Sequence, residues 1–150
     1  MYAVDLDSLE LRDVVSELEP DRRARVAFPH HSAVGNASTA TVYFELEPGS
    51  RVGAHTDSAE ELLLILEGEA EATVGQERAR AGAGTLLTVP AMEPHDVRNV
   101  GTGVLRVLGF FSASTVVATF EEALSPGGAQ VFVIGAPVPV MVPLEEAVAA

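Results

Sequence analysis

The chain has 150 residues, 47% of them apolar, enough for the core of one domain and too few for a second complete one. Asp and Glu number 22 against 9 Lys and Arg, a formal net charge of −13, and such a surface repels phosphate backbones and anionic lipid. No cysteine is present, which excludes disulfides, thiolate metal sites and a Cys nucleophile, so any metal must be held by nitrogen and oxygen.

Met1 to Asp7 lacks a basic stretch followed by an apolar core, so a cytoplasmic location is the expectation. Leu6 to Leu18 has the spacing of an amphipathic helix closed by Pro20. From about Arg22 onward, short apolar runs alternate with turn signals, which predicts an all-β domain. The runs are Arg25 to Phe28, Thr39 to Leu46, Glu61 to Leu66, Ala70 to Val74, Thr85 to Val89 and Val104 to Phe111. Between them fall Pro48-Gly49, Glu67-Gly68, Val74-Gly75, Gly82 to Gly84, Pro90, Pro94 and Gly101 to Gly103. His30 and His31 stand together ahead of the second run and read as surface residues of a loop. Val131 to Leu144 is too short to cross a bilayer and is broken by Pro137, Pro139 and Pro143, so it is expected as an extended strand or arm. Leu144 to Ala149 could close the chain as a short helix.

Glu61-Leu62-Leu63-Leu64-Ile65-Leu66 is the most informative run, because successive strand side chains point to opposite faces. If Glu61 faces an interior, Leu63 and Ile65 do too, and Leu62, Leu64 and Leu66 face outward. Three leucines do not normally stay in water, so either the terminal segments or a second subunit covers them, and a homodimer packed on this sheet is the favoured expectation. A DNA-binding regulator is disfavoured by charge, and by a leading segment too short for a helix-turn-helix domain.

His55 and Asp57 are two apart, which on a strand aims both at one side. Glu61 follows after a polar corner, and His95 follows Pro90 and Pro94 at a rigid bend. Two imidazoles and two carboxylates suit a divalent iron, manganese, nickel, cobalt or zinc ion. Glu60, one residue before Glu61, points to the other face and reads as solvated. By parity, Leu63 and Ile65 share the face of Glu61, and Val97 and Asn99 share that of His95. Tyr43 and Phe44 compete for the inner face of their strand, and Met92 is a candidate for the pocket mouth. Asn99 reads as satisfying backbone groups at the end of its strand. Such a lining is mostly apolar and suits a small organic molecule that chelates the metal.

These spacings make the chain resemble a small cupin. The family's first motif, G(X)5HXH(X)3E(X)6G, is met by Gly49, His55, Asp57, Glu61 and Gly68, with Asp57 where the family has histidine. The second, G(X)5PXG(X)2H(X)3N, is met by Gly84, Pro90, His95 and Asn99, with Met92 where the family has glycine. The resemblance covers roughly Thr39 to Phe111 and implies a double-stranded β-helix, or jelly-roll, barrel. It also implies that His55, Glu61 and His95 are metal ligands. Asp57 either coordinates as the fourth or hydrogen-bonds a ligand histidine. Residues 1–36 are then expected as a segment packed on the barrel, 37–112 as the barrel, and 113–150 as an extension at a dimer interface. The implied function is a metal-dependent enzyme on a small organic substrate, an oxygenase first and an isomerase or lyase next. The alternative is a non-catalytic module that binds or senses a small molecule.

Overall fold

The computed structural model describes residues 1–135 and the strand Val140–Val142. The helix expected over residues 144–149 lies outside them. Thirteen strands are found among the described residues: β1 (Arg12–Val15), β2 (Arg23–Ala27), β3 (Ala40–Leu46), β4 (His55–Asp57), β5 (Glu61–Glu67), β6 (Glu69–Val74), β7 (Glu77–Gly82), β8 (Leu86–Val89), β9 (His95–Asn99), β10 (Leu105–Phe111), β11 (Val116–Leu124), β12 (Ala129–Ile134) and β13 (Val140–Val142). They form two antiparallel sheets, one in the order β1-β2-β3-β10-β5-β8 and the other β13-β12-β11-β4-β9-β6-β7. This is the jelly-roll barrel expected from the paired motifs.

Alternation along each strand sorts core from surface. In β5, Glu61, Leu63 and Ile65 are buried while Leu62 is exposed. In β10, Leu105, Val107, Gly109 and Phe111 are the buried set. Leu63, Ile65, Leu105 and Val107 join Phe44, Leu46 and Val89 of the same sheet and Val97 of the facing one in one apolar cluster. Burying a side chain of this size stabilises by about 1.5–3 kcal/mol. Gly68 closes the β5–β6 turn at φ +91°, where a Cβ would stand 3.0 Å from the carbonyl of Val104, so this turn takes only glycine without strain.

Leu6 to Leu18 is not a helix. Asp5 caps a single 3₁₀ turn over Leu6–Ser8, accepting from the N–H of Asp7, and the chain then extends into β1. As a strand, the segment buries Val14 against Ala118, Leu124 and Phe132 and pairs its backbone with β2. The gain from closing the barrel edge overrides the helical spacing. His31 is not a surface residue either. Its ring is 4% exposed and accepts from the N–H of Ala33, capping the short turn over Ser32–Val34. Burial holds its pKa below the ordinary value. His30 Nδ1 meets the hydroxyl of Thr41, and its ring is met edge-on by Tyr2.

Candidate metal centre

The seven-stranded sheet sets two imidazoles side by side. His55 of β4 lies directly opposite His95 of β9, with Phe120 of β11 opposite His55 on its other flank. The His55 and His95 ring centroids are 4.1 Å apart, and Phe120 stacks on His55 at 4.5 Å with a 17° tilt. Strand alternation places Asp57 on the same face as His55. Glu61 arrives from the opposite sheet as the first residue of β5, after the corner at Ser58 to Glu60. Glu60 is exposed, as the parity predicts.

Both rings are fixed from behind. His55 Nδ1 donates to the carbonyl of Gly53 at 2.8 Å and His95 Nδ1 to the carbonyl of Glu93 at 2.9 Å. A carbonyl only accepts, so Nδ1 carries the hydrogen in each ring and Nε2 is turned to the cavity. His95 Nε2 lies 3.0 Å from Asp57 Oδ2 and 3.5 Å from Glu61 Oε1, and His55 Nε2 lies 3.7 Å from Asp57 Oδ2. Asp57, Glu61 and His95 are each 3% exposed. Yet among the described residues neither Asp57 Oδ2 nor His95 Nε2 has an aligned hydrogen-bond partner, although the two lie 3.0 Å apart.

Charge in this cavity is poorly balanced. Burial works against a proton on His95, but the neighbouring carboxylates of Asp57 and Glu61 outweigh it and hold the ring up at about 10. Burial pushes Glu61 up to about 7 against the pull of His95. His55 is lowered, chiefly by burial, with Asp57 opposing. The single imidazolium of His95 thus faces two buried carboxyl groups, those of Asp57 and Glu61. A divalent cation would neutralise both and use the inward nitrogens, so this donor set fits a metal. One atom each from His55, Asp57 and His95 already lie within 4.8 Å of one another.

The other candidates divide. Leu63 and Val97 line the cavity with Phe44, Val42 and Phe111, an apolar wall that holds no arginine or lysine. Phe44 takes the inner face and Tyr43 does not: the phenol would be unpaired inside, whereas outside it donates to Glu45 and accepts from Arg106. Ile65 faces inward but sits deeper in the core, away from the cavity. Asn99 is buried away from it as well, donating to the carbonyls of Leu46 and Gly103 and accepting from the N–H of Gly101. Met92 is 61% exposed at φ +64°, a left-handed twist that turns it off the mouth and explains why the motif has glycine there.

Three contributors were not foreseen. Phe120 lies in β11, whose run is interrupted by Thr119, Glu121 and Glu122 and so escapes an apolar-run search. Gly109 interrupts the apolar run of β10, and that interruption is the signal: a Cβ there would collide with Glu61 Oε2 and stand 2.8 Å from Val42 Cγ1. Asp96, next to His95, accepts from the N–H of Gly53 at 2.8 Å and from Arg51 at 3.0 Å, steadying the turn whose carbonyl holds His55.

A family model described as Cupin domain matches residues 42–111. Curated protein sequences give no match. Among solved structures, a candidate sugar phosphate isomerase from Acidithiobacillus ferrooxidans aligns at a TM-score of 0.61 and 18% identity, over 94% of this chain and 89% of its own. Oxalate decarboxylase from Lactobacillus farciminis, solved as a formate complex, aligns at 0.64 and 19% identity over 74% of this chain and 33% of its own. The Bacillus subtilis oxalate decarboxylase, described with Mn(II) centres, aligns at 0.59 and 21% identity over 66% and 28%. This chain thus spans a third or less of the oxalate decarboxylase chains.

Proposed function

Since a cupin-domain model matches residues 42–111 and the fold is that of cupin structures, we propose that His55, Asp57, Glu61 and His95 hold one divalent transition metal, and that the protein is a metal-dependent enzyme on a small organic molecule. One observation carries this reading: Asp57 Oδ2 and His95 Nε2 are buried, face each other and lack partners, while both imidazoles have their other nitrogen tied to a carbonyl. A buried imidazolium and a carboxylate that face each other without an aligned hydrogen bond are costly, and a cation in place of the proton removes the cost. Asp57 joins the ligands in this reading because its free oxygen is aimed at both rings. Iron, manganese, nickel, cobalt and zinc all suit two nitrogens and two carboxylates. Iron and manganese lead, given the two hard carboxylates.

When bound, such a metal would polarise two substrate oxygens as a Lewis acid, and iron would also activate dioxygen. The chain's own residues orient and shield. The Gly53 and Glu93 carbonyls fix the imidazoles, and the apolar wall keeps water from the bound molecule. Isomerases and lyases move protons, and among the described residues every titratable group lining the cavity is one of the four proposed ligands. An oxygenase-like reaction is therefore the leading class. The same lack of a free acid or base favours, as second reading, a module that binds or senses a small molecule without turning it over.

Metal analysis of protein purified without added metal tests the proposal. Near-stoichiometric metal is expected in the natural protein, with loss in both His95→Ala and Asp57→Ala. Trace metal that does not rise on adding iron, manganese or zinc would overturn it. Metal kept in Asp57→Ala but lost in His95→Ala would move Asp57 to a supporting role.

We further propose that two copies pair through the outer face of the six-stranded sheet. Leu62 and Phe110, neighbours across β5 and β10, are 38% and 40% exposed, and Leu86 is 56% exposed beside Leu64.

A further inference from the structure

We propose that the groove between the N-terminal segment and the β11–β12 turn is a second part of the substrate site, holding an uncharged apolar tail whose oxygen-bearing head reaches the metal centre. This deepens the reading above and rests on it.

The groove, about 580 Å³, runs over Tyr2, Val4, Leu9, Ala27, Pro29 and Pro126. The inner cavity is smaller, about 80 Å³. Four side chains, Val14, Val26, Phe28 and Phe132, line both spaces. One layer of apolar side chains therefore separates the metal centre from the groove. Phe28 is half-buried at that layer and packs on Phe132 at 5.8 Å. Phe132 meets Phe120 edge-on at 6.4 Å, and Phe120 stacks on His55. An aromatic path thus leads from groove to metal centre. Beside this path, Val15 at the end of β1 and Ser125 after β11 are tied by paired backbones.

Charge selects the ligand class. No arginine or lysine lines the inner cavity, and the groove carries Glu10 and Asp13 against Arg12 alone. A second carboxylate or a phosphate on the ligand would be desolvated with no cation to meet it. The structural neighbours include oxalate decarboxylases and a candidate sugar phosphate isomerase, yet the described lining of this cavity offers no cation to a phosphate or to a carboxylate oxygen that the metal does not hold. A head with two adjacent oxygens and a hydrocarbon tail is matched to it.

Calorimetric titration of the manganese-loaded protein with catechol and a series of 4-alkylcatechols reads this directly. Affinity should rise roughly three- to fourfold per methylene as the tail fills the groove. Ala27→Trp in β2 and Leu9→Trp on the facing loop, which border only the groove, should flatten that rise and leave catechol itself unchanged. Oxalate and glucose 6-phosphate should bind at least tenfold more weakly than 4-butylcatechol. A flat chain-length series, or a rise that both variants leave intact while catechol still binds, would overturn the inference and leave the metal reading standing. Catechol binding equally well to metal-free protein would overturn the metal reading and the inference with it.

Discussion

Glu61 shows how much of this site is decided by a neighbour with no side chain. Its carboxylate lies over Gly109, and any Cβ at that position would strike Oε2. Gly109→Ala is therefore expected to displace Glu61 and weaken metal binding at least tenfold, at an overpacking cost of about 1–3 kcal/mol. A metal titration beside a urea melt separates the two effects. Protons give a second test. In the bare protein His95 is held up at about 10 and Glu61 at about 7, so at pH 7 the first is protonated and the second roughly half so. Metal must displace those protons, so affinity falls as pH is lowered and rises toward alkaline pH. Calorimetry in buffers of different ionisation enthalpy should read release of at least one proton per metal at pH 7; no release would contradict it. The four proposed ligand residues were candidates from the sequence because motif spacing and strand parity both select them. Gly109 was not, since its role is a contact between strands far apart in the chain.

At the scale of elements, strands that alternate cleanly were readable and those held by context were not. All six apolar runs became strands, from β2 through β10. The edge strand β7, Glu-Arg-Ala-Arg-Ala-Gly, looks like a loop by composition but pairs along its whole length with β6. β1 carried a helical spacing that the open edge of β2 overrode. Asn99 joins elements rather than lining the pocket. Its amide closes the end of β9 onto the end of β3 through Leu46 and onto the following turn through Gly101 and Gly103. Asn99→Ala should cost about 3 kcal/mol, since it strands buried backbone groups, and should leave metal stoichiometry unchanged once folded. A loss below 1 kcal/mol in urea unfolding would show that water replaces the amide.

For the whole molecule, the excess of acid and the apolar outer sheet face act in opposite senses. The net charge of −13 keeps copies apart at long range. Leu62, Leu64, Leu86, Leu108 and Phe110 offer contiguous apolar area at short range. The natural protein should sediment as a dimer, more firmly in higher salt, and Phe110→Glu should give a monomer that still binds metal. A natural monomer at all salt concentrations would contradict this. No helix among the described residues is long and apolar enough to cross a membrane. The central claim is that one metal sits where the two sheets bring His55, Asp57, Glu61 and His95 together. Anomalous scattering from crystals grown with manganese tests it most directly. The account predicts one strong peak bounded by Nε2 of both histidines and the two carboxylates. No peak there, or manganese bound only elsewhere, would contradict it.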